Sequence, residues 1–266
     1  MRAGLAPADA ALDAEVLARH ALGWDRARLL TSGLEPAPAG FDEQFDALIE
    51  RRAVREPVAF ITGRREFWGL AFEVSPAVLI PRPETELIVE AACEMLPRRD
   101  RVRRIVDVGT GSGCLAVALA LEFPASYVLA IDLSGPALKV AQKNAATHAP
   151  GRVTLIRADL LNAAAGPVDL IVANPPYVSS AVGLAPDIIR FEPAMALFAS
   201  DHQGLDVLRR LIRSARPLLA AGGLFIVEFG FGQDDQVRAL AAGAGWRSVT
   251  IKEDLQGIPR VAVMSA

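Results

Sequence analysis

Pro175 and Pro176 come directly after an apolar run, Asp169-Leu170-Ile171-Val172-Ala173-Asn174, and fix where that run must end. Neither proline has an N–H to donate, so a sheet ladder cannot continue through them. The run therefore reads as a buried strand that stops at Asn174. This leaves Asn174 and Tyr177 at the strand's carboxyl end, the edge at which open α/β sheets bind ligands. The Asn174 side-chain oxygen and the Pro175 carbonyl are two acceptors in one rigid turn. Such a pair suits an –NH2 group with two hydrogens to place, and so points to a planar, weakly nucleophilic nitrogen.

The surrounding pattern supplies the sheet. Strands are expected at 104–109, 127–132, 153–157, 168–173, 223–229, 246–252 and 260–265, with helices near 113–122, 135–147, 205–220 and 233–243. This alternation predicts a mainly parallel sheet covered on both faces. Only Glu253 to Pro259 separate the last two strands, too few residues for a parallel crossover, so the seventh strand is expected to be antiparallel. Upstream, Leu12, Val16, Leu17 and Ala21 recur at helical spacing, as do Phe41, Phe45, Leu48 and Ile49. Residues 1–55 are expected as a small helical bundle, 56–86 as a β-hairpin and linker, and 87–266 as the catalytic domain. The hairpin is expected from Val58-Ala59-Phe60-Ile61 and Phe67 to Val74, joined by Thr62-Gly63-Arg64-Arg65. Pro83, Glu84 and Glu86 suit the first turn of a helix running to about Leu96.

Composition excludes several classes. The chain is 52% hydrophobic with a mean hydropathy of +0.30, enough for a sizeable core. It contains no uncharged apolar run of about 18 residues, so no membrane contact is expected. Met1-Arg2-Ala3-Gly4 leads into an acidic, amphipathic stretch rather than a signal peptide. A net charge of −3 argues against a nucleic-acid binder. The cluster Arg98, Arg99, Arg101, Arg103 and Arg104 reads as a solvated loop. Cys93, Cys114, His20, His148 and His202 lack metal-ligand spacing, so no metal is expected, and the two cysteines suit a reducing cytoplasm.

Ile105-Val106-Asp107-Val108 runs into Gly109-Thr110-Gly111-Ser112-Gly113 and then a helix. Glycines there let the backbone approach a ligand and present N–H groups at a helix N-terminus. The position at which a dinucleotide fingerprint needs a third glycine holds Cys114. Asp132 ends the second strand, where an acid can accept both hydroxyls of a ribose; Ser134 can cap the next helix and leave Asp132 free. Asp159 ends the third strand, either edging an adenine ring or standing as a surface acid, and Leu160 can pack on the ring face.

The Gly109–Gly113 segment resembles the first motif of S-adenosylmethionine-dependent methyltransferases. Together with Asp132 and Asn174-Pro175-Pro176-Tyr177 it resembles class-I enzymes that act on an amide or exocyclic amine. Glu56 to Gly63, Glu66-Phe67-Trp68-Gly69-Leu70 and Leu79 to Glu86 narrow this further, as do Phe191-Glu192-Pro193, Gly204-Leu205-Asp206 and Asp254-Leu255-x-Gly257. All closely resemble the peptide chain release factor glutamine methyltransferases (PrmC/HemK). The resemblance implies a class-I methyltransferase fold with a small N-terminal helical domain that binds the release factor. It implies methyl transfer from S-adenosylmethionine, leaving S-adenosylhomocysteine, to the glutamine amide of the Gly-Gly-Gln motif in class-1 release factors. A monomer with no direct nucleic-acid substrate is expected. Asn174 and Pro175 would be catalytic, with Pro176, Tyr177 and Phe67 against the substrate; for Phe67, ordinary hairpin packing is the alternative. Gly109, Thr110, Gly111, Ser112, Gly113, Asp132, Asp159, Leu160 and Asn174 would hold the cofactor. Arg82 and Glu84 would fix the linker. The related enzymes for a ribosomal protein, or for adenine or guanine amines, are the alternatives; the Pro-Arg-Pro-Glu-Thr-Glu run separates the chain from the first, and the short, helical N-terminal segment, which is not conspicuously basic, from the second.

Overall fold

The computed structural model describes residues 7–179 and 183–266, so the expectation for Met1 to Gly4 lies outside the described residues. The chain forms two compact units, residues up to 64 with 185–191, and 65–184 with 192–266.

The first unit holds α1 (Pro7–Leu22), α2 (Arg26–Ser32), α3 (Phe41–Ala53) and α4 (Val58–Thr62). Leu17 is fully buried, and the Arg52 guanidinium joins α3 to Asp13 of α1 at 2.7 Å. Here one expectation is corrected: Val58 to Ile61 are helical, not a strand. The Pro57 carbonyl accepts from the N–H groups of Phe60 and Ile61 (2.9 and 3.0 Å), and Gly63 closes the turn with φ 71°. Ala59, Phe60 and Ile61 are consecutively buried, which a half-buried strand does not allow.

The hairpin is instead β1 (Arg64–Phe67) and β2 (Leu70–Glu73), joined by Trp68-Gly69 with φ 53° and 72°. Two positive φ values in succession define the turn whose twist matches a tight hairpin. A 3₁₀ turn at Pro83–Thr85 leads into α5 (Glu86–Met95), as the Pro83 and Glu86 pattern requires.

The rest of the second unit runs β3 (Arg104–Val108), α6 (Cys114–Glu122), β4 (Tyr127–Asp132), α7 (Gly135–His148), β5 (Val153–Arg157) and β6 (Val168–Ala173). The short α8 (Pro186–Phe191) belongs to the first unit, and α9 (Ala194–Leu197) comes next. Then come α10 (Asp206–Ala215), β7 (Leu219–Glu228), α11 (Asp234–Gly243), β8 (Ser248–Glu253) and β9 (Pro259–Ser265). The seven-stranded sheet has the order β5-β4-β3-β6-β7-β9-β8, and β9 is antiparallel to both neighbours. One face is covered by an apolar layer that includes Ile88, Leu119 and Phe123, the other by Leu208, Ile212 and Val237. Among the described residues no helix is long and apolar enough to cross a membrane.

The strands end level. Val108 pairs with Ile131 on one side and Ala173 on the other, and Ala173 pairs with Val227. The next residues along each strand, Gly109, Asp132, Asn174 and Glu228, therefore stand in one row at the sheet's carboxyl edge.

Two buried polar groups hold the glycine loop beneath that edge. Asn144 of α7, 2% exposed, accepts from Glu73 N–H (2.8 Å) and donates to the carbonyls of Glu73 (2.9 Å) and Ser112 (2.8 Å). It thereby ties the hairpin to the loop. Gly113 has φ 82°, and a Cβ there would meet Ala141 Cβ at 3.1 Å, so only glycine allows this approach. Asp107 is fully buried; its Oδ2 accepts from Thr110 Oγ1 (2.6 Å) and Ala116 N–H (3.1 Å), while Oδ1 has no partner among the described residues. Burial pushes its carboxyl up to about 7, against the hydrogen bond from Thr110.

Asn144→Ala strands three backbone groups and is expected to cost about 3 kcal/mol, read by urea denaturation. For Asp107 the folded value is raised, so its contribution to stability is complete at low pH and is lost as pH rises through about 7. Denaturation at pH 5 and pH 8 should therefore show Asp107→Asn gaining on the wild type as pH rises.

Candidate active site

A cavity of about 320 Å³ opens at the carboxyl edge of the sheet. Gly109, Thr110, Gly111 and Ser112 form one wall, and Asp132, Asp159 and Leu160 continue it. Asn174 and Pro176 stand on its rim with Arg82 and Thr85. A second hollow of about 450 Å³ lies against α7 and β5, but its polar side chains are Lys139 and Gln142 and no motif residue reaches it. Convergent polar groups single out the first.

Asp132 is held rather than free. Its Oδ2 accepts from Gly111 N–H (2.9 Å) and its Oδ1 from Ser134 N–H (2.8 Å), while Ser134 Oγ caps α7 by accepting from Ala137 N–H (3.2 Å). A carboxylate has about four acceptor positions, so two are left for a diol. Asp159 forms an ion pair with Arg210 and still faces the cavity. Leu160 has φ 47°, a conformation a branched side chain rarely adopts, and strain of this kind collects at ligand sites. Donors from the loop, a held acid beside it and a glycine surface match the needs of a nucleoside carrying a charged chain.

Asn174 donates from Nδ2 to Thr85 Oγ1 at 2.9 Å. Among the described residues nothing donates to its Oδ1 or to the Pro175 carbonyl. Thr85 Oγ1 donates in turn to Glu228 Oε2 (2.7 Å), and Tyr177 OH donates to Glu228 Oε1 (2.9 Å). Burial, then the Glu228 carboxylate, raises the Tyr177 phenol well above its ordinary value, so it stays a donor. Gln233 braces the turn by donating to the carbonyls of Tyr177 (3.2 Å) and Gln203 (2.9 Å).

Not every expected residue meets the cavity. Gly113, Pro175 and Tyr177 do not line it. Phe67 is 1% exposed, packs edge-on against Phe72 at 6.2 Å and does not line the cavity. Arg82 does fix the linker: Glu192 accepts from its guanidinium and from Ile80 N–H (3.0 Å). Glu86 does so too, accepting from Trp68 N–H at 2.8 Å. The Arg cluster is in part structural, since Arg103 is buried over the Phe123 ring at 5.3 Å. Burial raises the Cys93 and Cys114 thiols to about 11 and about 12, which leaves them unreactive.

Sequence reasoning did not single out Thr85 or Glu228. Thr85 lies inside the quoted linker run, and Glu228 is a lone acid closing the apolar run Leu224 to Val227. That acid on the same edge as Asn174 was the available signal.

Comparison with known proteins places this geometry. The PrmC N-terminal domain family matches residues 2–63, and the Methyltransferase small domain family matches residues 85–191. The fold resembles that of the T. Thermophilus 16S rRNA N2 G1207 methyltransferase (RsmC) solved in complex with AdoMet and guanosine. Its TM-score is 0.57 at 19% identity, over 76% of this chain and 50% of that one. A release factor glutamine methyltransferase of Xylella fastidiosa (strain 9a5c) is 44% identical over 254 residues, 95% of this chain and 92% of that protein. The one from Escherichia coli (strain K12) is 39% identical over 94% of this chain and 90% of its own length. With a class-I sheet, an Asn-Pro-Pro-Tyr turn at its edge and relatives matched almost end to end, the chain belongs to the release factor glutamine methyltransferase family.

Proposed function

We propose that this chain transfers a methyl group from S-adenosylmethionine to the side-chain amide nitrogen of the glutamine in the Gly-Gly-Gln motif of class-1 release factors. One observation carries the reading: Asn174 has its Nδ2 engaged by Thr85, which leaves Oδ1 as the acceptor on the cavity rim.

When bound, S-adenosylmethionine supplies an electrophilic sulfonium methyl. Gly109, Thr110, Gly111 and Ser112 give the backbone surface for it, Asp132 the acceptors for its ribose, and Asp159 with Leu160 the edge and face for its base. The amide nitrogen to be methylated is a poor nucleophile, because its lone pair is delocalised into the carbonyl. Asn174 Oδ1 and the Pro175 carbonyl accept its two N–H hydrogens, fix the amide plane and aim the nitrogen. Both acceptors also favour the positive charge that grows on nitrogen, so their effect is larger in the transition state than in the ground state. The cation that results loses a proton readily, so no strong base is needed. Residues 1–55 hold the release factor, 56–86 link, and 87–266 carry the chemistry; the match to PrmC N-terminal domains supports the first assignment. The enzyme works as a cytoplasmic monomer without a metal.

The test is methyl transfer in vitro to a class-1 release factor, to its Gly-Gly-Gln glutamine variant, to a large-subunit ribosomal protein, and to DNA and rRNA. Transfer is expected to the intact release factor alone; transfer to nucleic acid without the factor overturns the reading. Asn174→Ala should lower kcat by about 10²–10³ with cofactor affinity kept. Asp132→Ala should weaken S-adenosylmethionine binding by about 2 kcal/mol, the worth of a hydrogen bond to a charged group; unchanged calorimetric affinity refutes the ribose role.

A further inference from the structure

Glu228 closes β7 one residue beyond Val227, whose partner in β6 is Ala173, so Glu228 and Asn174 stand side by side. Glu228 is 1% exposed, and among the described residues it has no ion pair. Arg260, the nearest cation on β9, is bonded instead to Asp254 at 3.0 Å. A buried carboxyl without a cation needs hydrogen bonds to offset its desolvation. It receives two, from Thr85 and Tyr177, on separate oxygens.

We propose that Glu228, acting through Thr85, is a positioning residue that sets which end of the Asn174 amide faces the substrate. The proposal rests on the reading that Asn174 Oδ1 accepts from the glutamine amide, and extends it to how that atom is selected. An ionised carboxylate can only accept, and a threonine hydroxyl has one hydrogen to give. Once Thr85 donates to Glu228 Oε2, only lone pairs of its Oγ1 face Asn174. Asn174 must then present Nδ2 to Thr85, which turns Oδ1 toward the cavity. If the group at 228 could itself donate to Thr85 Oγ1, the Thr85 hydrogen would be free to point at Asn174. The amide would then turn over and present Nδ2 to the substrate. An N–H facing an –NH2 group repels it, whereas an N–H facing a carboxylate attracts it. The direction of this chain thus decides between glutamine and glutamate as the bound side chain.

Four other groups act on Glu228. The Thr85 and Tyr177 hydroxyls favour its charge, as does Arg260 from β9, while Glu84 beside Thr85 opposes it. Burial outweighs the two hydroxyls and lifts the carboxyl above the usual range. Protonation of Glu228 restores a donor at that position, so turnover is expected to fall on the acid side of the pH profile.

The experiment uses the full chain, a class-1 release factor as acceptor, and the same factor with Gly-Gly-Glu as competitor. Glu228→Gln and Thr85→Val are expected to lower kcat on the order of tenfold to a hundredfold, as misplacement of a reacting group does. Cofactor affinity by calorimetry should not change. Thr85→Ser should restore most of the loss, and Glu228→Gln should lose the acid limb and be inhibited by the Gly-Gly-Glu factor more strongly than the wild type. If Asn174→Ala is inactive while Glu228→Gln and Thr85→Val turn over like the wild type, the positioning role is overturned and the Asn174 reading stands. If Asn174→Ala turns over normally, that reading itself fails. Should Glu228→Gln not bind cofactor, the Thr85→Val and Thr85→Ser pair decides alone: equal turnover overturns the role, and rescue by serine supports it.

Discussion

The level ending of four neighbouring strands is the constraint on which everything else rests. Val108, Ile131, Ala173 and Val227 are in register, so the next residue of each strand arrives at a single edge. A glycine turn, an acid, an amide before two prolines and a buried acid are thereby brought together. A slip of one residue in β6 would send Asn174 to the opposite face and bury its amide against a helix. The apolar residues of β3, β6 and β7 pack into the layers on both faces of the sheet, so such a slip would disturb the packing on both. Packing that looks generic therefore sets the placement of the polar atoms.

The polar atoms then hold one another. Glu192, Asn144 and Glu228 are each nearly sealed from water, and each has its hydrogen bonds filled from a segment distant in sequence. Glu192 takes a cation, Arg82, and serves as a clamp for the linker. Glu228 takes only hydroxyls. The difference matters physically: a buried ion pair has little reason to change, whereas a carboxyl satisfied by two neutral donors keeps a protonation equilibrium within reach. Leaving one partner of such a set unmatched costs about 1–3 kcal/mol, which is what keeps the arrangement fixed.

Much of this was legible in the sequence, and the gaps have physical causes. The seven strands, the reversed last one and the four covering helices came from period and connection length, and the glycine turn and Asn174 from residue chemistry. The hairpin was misplaced because Val58 to Ile61 is a short apolar run, which periodicity cannot assign to strand or helix; Pro57 and Gly63 decided for helix. Phe67 reads equally as wall or core until its neighbour Phe72 is placed. Asp132 reads as free until the loop N–H groups converge on it. Thr85 and Glu228 lie 143 residues apart, and Thr85 and Asn174 lie 89 apart, so no local pattern could join them.

That long-range join also bears on how one fold serves different acceptors. The sheet is shared with a rRNA N2 methyltransferase at 19% identity, so the fold does not tell a glutamine amide from a base. Both acceptors are planar –NH2 groups, and Oδ1 of an asparagine suits either. In this chain the Pro-Arg-Pro-Glu-Thr-Glu linker, fastened by Arg82 to Glu192 and by Glu86 to Trp68, delivers Thr85 to the Asn174 amide. A rigid linker can hold one hydroxyl within hydrogen-bond reach of both an amide and a buried acid; a mobile one cannot. The linker therefore does two things at once. It connects the hairpin to the seven-stranded sheet, and it places the Thr85 hydroxyl between the Asn174 amide and the Glu228 carboxylate.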